Sequence, residues 1–538
     1  MDPIASLTPA SYDDFSYPSH AYTQTHPDHL AALAILSGLQ PAAVEQCRVL
    51  ELGCASGGNL IPMAFSLPGS EFVGVDFSGN AVDKGLESID RLGLKNITLH
   101  HMDLLDVDTS MGQFDYIIVY GIFSWVPFEV QEKILEICRD NLAPQGVVHM
   151  SYNVYPGWHM YRVIRDVMFY STQHIESWPE RVQKARWLVE YMSEQYAGQD
   201  GYFGQFLQSI QGLLNPAVDG YIRHDFLSEV NEPLYFHQFI ERASHKGLKY
   251  LANGWLGSQG DVPDEVMETV LGMAEDNIEV EQYLDFMRNR SFRETLLCHE
   301  SCTVHHELDP ECLTNLRVVS RVKPEEVEID PTSTEPTIFL GPGKKNLSTA
   351  HPLTKAALIH LESQYPRSIP FLTLVDEARG ILFRNGDGQT QWTEEDTETL
   401  AFNLLRLHGE DVDLVNLRTF QPDIVTDIAE KPVASVMARH QIEQGVPVTN
   451  LYHQRVTLDN GVSRLLAHLD GEHDRQALVQ VMIGLSDEGI IEISQDDQPI
   501  EDPELLRSAL QELLELQLDL IAMAGLLADD YPLGPVQR

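Results

Sequence analysis

The chain has 538 residues, which is too many for one ordinary hydrophobic core and predicts three or four domains. Hydrophobic residues make up 43% of it and aromatic residues 8%, a composition that excludes wholesale disorder. Its 36 basic and 81 acidic side chains give a formal net charge of −45, which opposes binding to nucleic acid or to an anionic membrane.

The chain also lacks the patterns of exported and membrane proteins. No stretch approaches the roughly 20 consecutive apolar residues of a membrane helix, and the first 20 residues have neither the basic nor the apolar part of a secretory signal. Six cysteines are too few for a disulfide framework in a chain of this length. We therefore predict a cytoplasmic protein with no membrane insertion.

The first 155 residues alternate short apolar runs with helical patterns. A helix is predicted to begin within residues 25–28, where a proline is followed by an acid, and another helix is predicted over Gly79–Leu92. The apolar runs are two-sided and β-branched, as strands of a buried parallel sheet are, and they lie at residues 47–53, 71–76, 97–103, 114–121 and 146–153. This alternation predicts a doubly wound, Rossmann-like α/β domain.

The rest of the chain divides into five predicted segments. Residues 156–230 form a helical insertion, and residues 231–305 return to strands and helices that complete the sheet. A proline-containing linker is predicted over 306–349. Residues 350–425 and 426–538 each combine helices with a short hairpin, which predicts two smaller α+β, winged-helix-like domains.

A glycine-rich turn after the first strand is the strongest functional signal. Residues 49–59 read VLELGCASGGN, in which the glycines permit a tight turn and let a ligand lie against bare backbone. The helix that begins at Asn59 offers free N–H groups to a carboxylate. Asp76 closes the second strand, where it could accept both ribose hydroxyls, and Asp103 ends the third strand, where it could hold an adenine amine.

Three features of this turn favour S-adenosylmethionine over a dinucleotide. Glu51 stands two residues before Gly53, the glycine spacing lacks the G-x-G-x-x-G pyrophosphate motif, and about 45 residues precede the first strand. Tyr17 could fold over the cofactor as part of an N-terminal lid, or pack as a tethered arm. The predicted cofactor contacts are Tyr17, Glu51, Gly53, Cys54, Ala55, Gly57, Asn59, Asp76, Phe77, Met102, Asp103, Leu104 and Tyr120.

The turn resembles a motif of the class I S-adenosylmethionine-dependent methyltransferases. Their E-x-G-x-G-x-G motif is matched by Glu51, Gly53, Ala55 and Gly57, with alanine where glycine is usual. A second resemblance covers most of the chain and includes YPS at 17–19, THP at 25–27, YNVYPGW at 152–158, HD at 224–225 and NEPLYF at 231–236. These segments are similar to bacterial methyltransferases with a methyltransferase regulatory domain, among them the rickettsial enzymes that methylate lysines of an outer-membrane protein.

The resemblance implies a fold, an activity and partners. It implies a cofactor domain, a helical insertion that pairs two copies in a homodimer, and middle and C-terminal domains that grip a protein substrate. A lysine acceptor is implied by the resemblance alone. Two other functions stay open: a small-molecule methyltransferase, and a cofactor-sensing regulator with degenerate activity. DNA binding by such a regulator is disfavoured, because residues 431–538 hold 7 basic and 18 acidic side chains.

The segments after the fourth and fifth strands carry the candidate acceptor site. A lysine amine reacts only when neutral, and desolvation in an aromatic channel lowers its pKa from about 10.4. The aromatic candidates could equally cap the core beneath a loop. The residues predicted to form this site are Tyr120, Trp125, Asn153, Tyr155 and Trp158. No metal is predicted, because the cysteines and histidines of residues 298–312 match no familiar ligand spacing.

Overall fold

The structure is a computed structural model of the chain. It describes residues 19–198, 201–255, 262–307, 309–385, 392–408, 414–495, 498–500 and 502–528. Tyr17, a predicted cofactor contact, lies outside these residues.

A mixed sheet forms the centre of the N-terminal half of the chain. Within the described residues it has seven strands, β1 Arg48–Leu52, β2 Glu71–Asp76, β3 Ile97–His101, β4 Phe114–Val119, β5 Leu142–Asn153, β6 Leu248–Asn253 and β7 Phe292–His299. Their order is β3-β2-β1-β4-β5-β7-β6, and β7 runs antiparallel to both of its neighbours. The central strands β1 and β4 are buried on both faces, as their continuous apolar runs predict. The predicted doubly wound α/β class is confirmed.

Helices connect the parallel strands and cover the sheet. In chain order they begin with α1 Pro27–Leu36, α2 Leu60–Ser66, α3 Gly79–Leu92 and α4 Phe128–Asp140. His26 caps α1 by accepting a hydrogen bond from Asp28 N at 3.2 Å, with proline at the first helical position. Ser78 caps α3 in the same way and left-handed Gly93 ends it, so the predicted bounds of α3 are confirmed.

A helical unit follows β5. It contains α5 Gly157–Thr172, α6 Trp178–Gln195, α7 Tyr202–Leu214 and α8 Asp219–Tyr221, which runs into a π-helical turn at Ile222–Phe226. These elements share an apolar cluster of their own, which includes Ile164, Met168, Val189, Leu207 and Ile222. The chain then returns to the sheet through α9 Phe236–His245, α10 Asp264–Met273 and α11 Asn277–Arg288.

The segment predicted as a linker, 306–349, contains regular structure. It holds β8 Arg317–Val319, β9 Lys323–Pro324, β10 Thr337–Leu340 and β11 Asn346–Thr349. Strand β10 pairs with β9 and β11, and the glycine of the turn between β10 and β11, Gly343, has a φ of 66°. Pro342 and Gly343 lie in the turn between β10 and β11, whereas Pro324 belongs to β9, so the segment is not the plain linker that was expected.

A middle module is built on β8. It adds α12 Pro352–Gln364, β12 Ile369–Pro370, α13 Phe371–Asn385, α14 Glu394–Leu407 and β13 Asn416–Arg418. Strand β8 lies between β12 and β13 and is antiparallel to both. The middle module docks on α1, because Asp28 accepts hydrogen bonds from Arg418 Nη1 at 3.2 Å and from Thr419 N at 2.6 Å.

The C-terminal module has the helix-and-hairpin composition of a winged-helix domain. Its elements are α15 Val436–Gln444, β14 Val448–Thr449, β15 Arg455–Val456, α16 Asn460–Ala467, α17 Arg475–Asp487, β16 Ser494–Gln495, β17 Gln498–Pro499 and α18 Pro503–Met523. The leucine stripe of α18 is buried in the module at Leu510, Leu514 and Leu518. In the part of the chain that the structure describes, no helix has the length and apolar character required to cross a bilayer.

Candidate functional site

The chain turns sharply between β1 and α2. Gly53 N and Cys54 N both donate to Val75 O, at 2.8 and 3.1 Å, and so hold the turn against β2. Gly53 and Gly57 have φ angles of 77° and 72°, in the left-handed region that favours glycine. A Cβ on Gly53 would also lie 2.6 Å from Ile122 Cγ2. The turn thus presents backbone where a side chain would not fit.

Ala55, which stands where the methyltransferase motif has glycine, also adopts a left-handed backbone, with a φ of 48°. This conformation is strained for alanine, and a hydrogen bond holds it: Ala55 N donates to Asp76 Oδ2 at 2.7 Å. The second oxygen, Asp76 Oδ1, accepts from Ser78 N at 2.8 Å. Asp76 therefore ties the turn to the end of β2, although burial raises the pKa of its carboxyl group.

Glu51 is buried beneath the same turn. Its Oε1 accepts a hydrogen bond from Asn59 Nδ2 at 2.7 Å, while Oε2 is buried with no partner among the described residues. Burial raises the pKa of Glu51 to about 8, more than the Asn59 hydrogen bond lowers it. An unpaired buried carboxylate oxygen is costly, and a cationic ligand would relieve that cost.

A cavity of about 1030 Å³ opens at this edge of the sheet. Its carboxylates are those of Glu51, Asp76, Asp83, Glu87 and Asp225, against the single lysine Lys84 in the described lining. A cleft with this charge balance concentrates cationic ligands, such as a sulfonium or a lysine side chain. The predicted site residues in its wall are Glu51, Gly53, Cys54, Ala55, Asn59, Asp76, Tyr120, Trp125, Asn153 and Trp158.

Other predicted residues lie beside the cavity rather than in its wall. Gly57 belongs to the turn and has a left-handed backbone conformation. Met102 and Leu104 pack on the apolar cluster between the sheet and α4. Asp103 Oδ1 accepts from Leu105 N at 2.9 Å and caps a short helical turn. Phe77 follows β2 directly. Contact of these residues with the cofactor remains a prediction, as it does for the residues in the cavity wall.

Aromatic side chains line the part of the cavity after β4 and β5. The rings of Tyr120 and Tyr22 are 4.0 Å apart, and those of Trp125 and His224 are 4.5 Å apart. Trp158 meets Trp125 edge to face at 6.0 Å. These two groups of rings line the same cavity and come from the segment before α1, the sheet edge and the helical unit, and aromatic faces of this kind attract a cation.

Asn153 and Tyr155 flank this wall. Asn153 Nδ2 donates to Asn231 Oδ1 at 3.1 Å, and its side chain lines the cavity, with no described donor to its Oδ1. Tyr155 stacks on His159 at 4.0 Å and lines a separate cavity of about 360 Å³, which shares Trp158 with the first. The structure thus brings four of the five predicted acceptor-site residues together and places Tyr155 behind Trp158.

Asn59 joins three parts of the chain that sequence reasoning did not connect. Its Oδ1 accepts from Tyr22 N at 3.0 Å and lies 2.9 Å from Nε2 of His453, a residue of the C-terminal module. Burial lowers the pKa of His453 to about 3, so the neutral imidazole donates through Nε2. No local pattern signals a contact across 394 positions. Among the missed cavity residues, His224 and Asp225 had a signal, because they form the HD segment that resembles methyltransferases with a regulatory domain.

The cysteine and histidine residues near the end of β7 differ in their surroundings. Cys298 and Cys302 are buried, whereas His305 packs against Gly38. Among the described residues, no group of three or more histidine, cysteine or carboxylate side chains could hold a metal ion.

Family models match three parts of the chain. A methyltransferase domain matches residues 50–148, a predicted methyltransferase regulatory domain matches 218–299, and the C-terminal winged helix domain of PKMT matches 430–526. The first match contains the glycine-rich turn and Asp76, and the second ends at β7.

Relatives extend the similarity to almost the whole chain. Protein RP789 of Rickettsia prowazekii is 33% identical over 96% of this chain and 93% of its own length. The structure of PKMT2 from Rickettsia typhi is 28% identical, covers 95% of this chain and all of its own, and has a TM-score of 0.84. Its complex with AdoHcy matches with a TM-score of 0.83 and 27% identity. This chain therefore belongs to the S-adenosylmethionine-dependent methyltransferases that combine a class I cofactor domain, a methyltransferase regulatory domain and a PKMT winged helix domain.

Proposed function

We propose that this methyltransferase transfers methyl groups to lysine side chains of a protein. The observation that carries the proposal is the match to PKMT2, which covers 95% of this chain and the whole of PKMT2, including the C-terminal module. A module without chemistry of its own suits a macromolecular acceptor better than a small metabolite. The acid-lined cavity with its aromatic wall also suits an amine that enters as a cation.

The residues of the cavity fit S-adenosylmethionine. Asp76 would accept the ribose hydroxyls, Glu51 Oε2 would face a cationic group, and the backbone of the turn at 53–56 would lie against the ligand. When bound, the cofactor supplies an activated methyl group on a sulfonium. The contribution of the chain is to position the acceptor and to desolvate it.

The acceptor amine must lose its proton before it can react. Tyr120, Trp125 and Trp158 surround it with apolar surface, which lowers the pKa of a lysine, and their faces stabilise the methylated ammonium. Because Asn153 Nδ2 is held by Asn231, its Oδ1 is the atom placed to accept a hydrogen bond from the amine. The nearby carboxylate of Asp225 lies in the same wall and favours entry of the charged form.

Cofactor binding is expected to release a proton from Glu51. A cationic ligand lowers the pKa of this carboxyl from about 8 in the free protein. At a pH between the pKa of Glu51 in the complex and its pKa in the free protein, the complex holds fewer protons than the free protein. The affinity for the cofactor therefore rises with pH and levels off above pH 8. Calorimetry at pH 7 in buffers of different ionisation enthalpy measures this release. Glu51→Gln should remove the protein's share of it, and an unchanged release would contradict the assignment.

The lysine acceptor is tested by labelling. The protein is incubated with tritiated S-adenosylmethionine and bacterial lysate, protein is separated from small metabolites, and peptides are analysed by mass spectrometry. We expect label in the protein fraction, on lysine. Label confined to the small-molecule fraction would favour the small-molecule methyltransferase, and no label despite cofactor binding would favour a sensing protein.

A pair of variants links this label to the aromatic wall. Trp125→Ala should reduce lysine labelling at least about tenfold while AdoHcy affinity changes little, because Trp125 lies on the acceptor side of the cavity. Phe128→Ala is the matched control, since Phe128 is 65% exposed and outside the lining. Equal loss in both variants would remove Trp125 from the acceptor site.

Pairing of two copies and a cytoplasmic location stay predictions, as does the exclusion of nucleic acid. The helical unit supports pairing, because large apolar side chains lie exposed on it, among them Tyr170, Trp187 and Tyr191. The mass of the protein in solution would test the homodimer.

A further inference from the structure

A second large cavity lies where the middle and C-terminal modules meet. Its volume is about 1430 Å³, above the usual 300–1,000 Å³ of small-molecule sites. The middle module contributes strand β13 and the segment that follows β8. The C-terminal module contributes α15, β14, β15 and α16. We name this space the intermodule cleft.

The charge of the intermodule cleft is opposite to that of the chain. Its described lining contains Arg321, Arg418, Arg455 and Arg464 but one carboxylate, Glu443. That carboxylate is already paired with Arg91 of α3. In a chain with a net charge of −45, a cleft with this surplus of arginine is a local exception.

Three of these arginines have charges that are not compensated within the described residues. Arg418 is buried and paired with Asp28, whereas Arg321, Arg455 and Arg464 are exposed and have no carboxylate partner there. Guanidinium groups donate bidentate hydrogen bonds to carboxylates, and this geometry makes arginine suited to an acidic partner.

The intermodule cleft adjoins the cofactor cavity. Tyr22 lines the cofactor cavity, and the next two residues, Thr23 and Gln24, line the intermodule cleft. This short segment is held from both sides: Thr23 Oγ1 donates to His453 O at 3.0 Å, and Gln24 Nε2 donates to Glu294 Oε1 at 2.7 Å. The two cavities lie on either side of this segment, so a single extended chain that crosses it would place a lysine in the acidic cavity and acidic residues in the cleft.

We propose that the intermodule cleft binds an acidic segment of the acceptor protein, next to the lysine that is methylated. This inference rests on the proposed function and adds a charge pattern to the substrate. The opposite charges of the two cavities would fix the direction of the bound chain, and like charges would reject the reverse orientation.

Peptide binding tests the cleft without methyl transfer. The probe is fluorescein-labelled decaglutamate, measured by anisotropy against the full-length protein, with a glycine–serine peptide of equal length for comparison. The protein should bind decaglutamate more tightly than the neutral peptide despite its own negative charge, and added salt should weaken this binding. The triple variant R321E/R455E/R464E should raise the dissociation constant about tenfold or more.

A second triple variant controls for net charge. R384E/R406E/R507E changes the charge equally at exposed arginines outside the cavity linings and should bind decaglutamate like the parent protein. No preference for decaglutamate, or equal loss in both triple variants, would overturn the proposal. Tighter binding of a ten-nucleotide single-stranded DNA would overturn it in favour of a nucleic-acid site. Retained peptide binding with no lysine labelling would contradict the proposed function rather than an acid-binding cleft.

Discussion

Asp76→Ala is expected to weaken AdoHcy binding by about 100-fold. If the carboxylate accepts both ribose hydroxyls, its loss removes two charge-assisted hydrogen bonds, each contributing about 1.5 kcal/mol or more. The same substitution removes the acceptor of Ala55 N, which holds the strained left-handed backbone of the turn. Both effects act on the cofactor site, and calorimetric titration with AdoHcy measures them together.

Asp106→Ala is the matched control for this substitution. Asp106 is an exposed carboxylate that follows β3 and lies outside the cavity lining, so its removal should leave the affinity unchanged. The thermal midpoint of Asp76→Ala should stay close to that of the parent protein, because the sheet core does not depend on it. An AdoHcy affinity within twofold of the parent would contradict the role of Asp76.

Arg293→Met is expected to destabilise the cofactor domain by about 3–5 kcal/mol. The Arg293 side chain is fully buried at the start of β7, where it donates to Asp285 Oδ2 at 2.7 Å and to Glu281 Oε2 at 2.8 Å. It also donates to Asn253 Oδ1 at 2.6 Å and so joins α11 to the ends of β6 and β7. Methionine fills much of the space but leaves two buried carboxylates without this cation.

Thermal unfolding followed by circular dichroism measures the effect of Arg293→Met. The midpoint of the cofactor domain should fall by roughly 10 °C. Burial already raises the pKa of Asp285 above its usual value, and removal of the cation raises it further, so the variant should regain stability as the pH falls toward the carboxyl range. Arg48→Met is the control, because the Arg48–Glu71 ion pair is partly exposed and contributes little. Equal midpoints for the two variants would contradict the importance of the network.

The sequence predicts the sheet and the turn well, for physical reasons. Strands β1 and β4 are continuous apolar runs because both of their faces are covered, and α3 is bounded by Ser78 and Gly93, whose preferences are local. The position of β7 between β5 and β6 is not predictable in this way. Its apolar character identifies a strand but carries no information about its neighbours.

The parts of the site that the sequence does not predict depend on distant contacts. Asn59 is predicted as part of the turn, but its contact with His453 is not, because the two residues meet only where the C-terminal module packs against the segment before α1. Asn153 ends β5 and Tyr155 comes two residues later, but Tyr155 lines the smaller cavity, which shares Trp158 with the cofactor cavity. The strands within 306–349 are only two to four residues long, too short to show a period, so their turn residues suggested a linker.

A crystal structure of the protein with bound AdoHcy would show directly whether the cofactor occupies the cavity beside the glycine-rich turn. We expect the ligand beside residues 53–59, with its ribose hydroxyls within hydrogen-bonding distance of Asp76 and its amino group on the side of Glu51. The sulfur should face the wall formed by Tyr120, Trp125 and Asn153. AdoHcy bound elsewhere, or no binding at millimolar concentration, would contradict it.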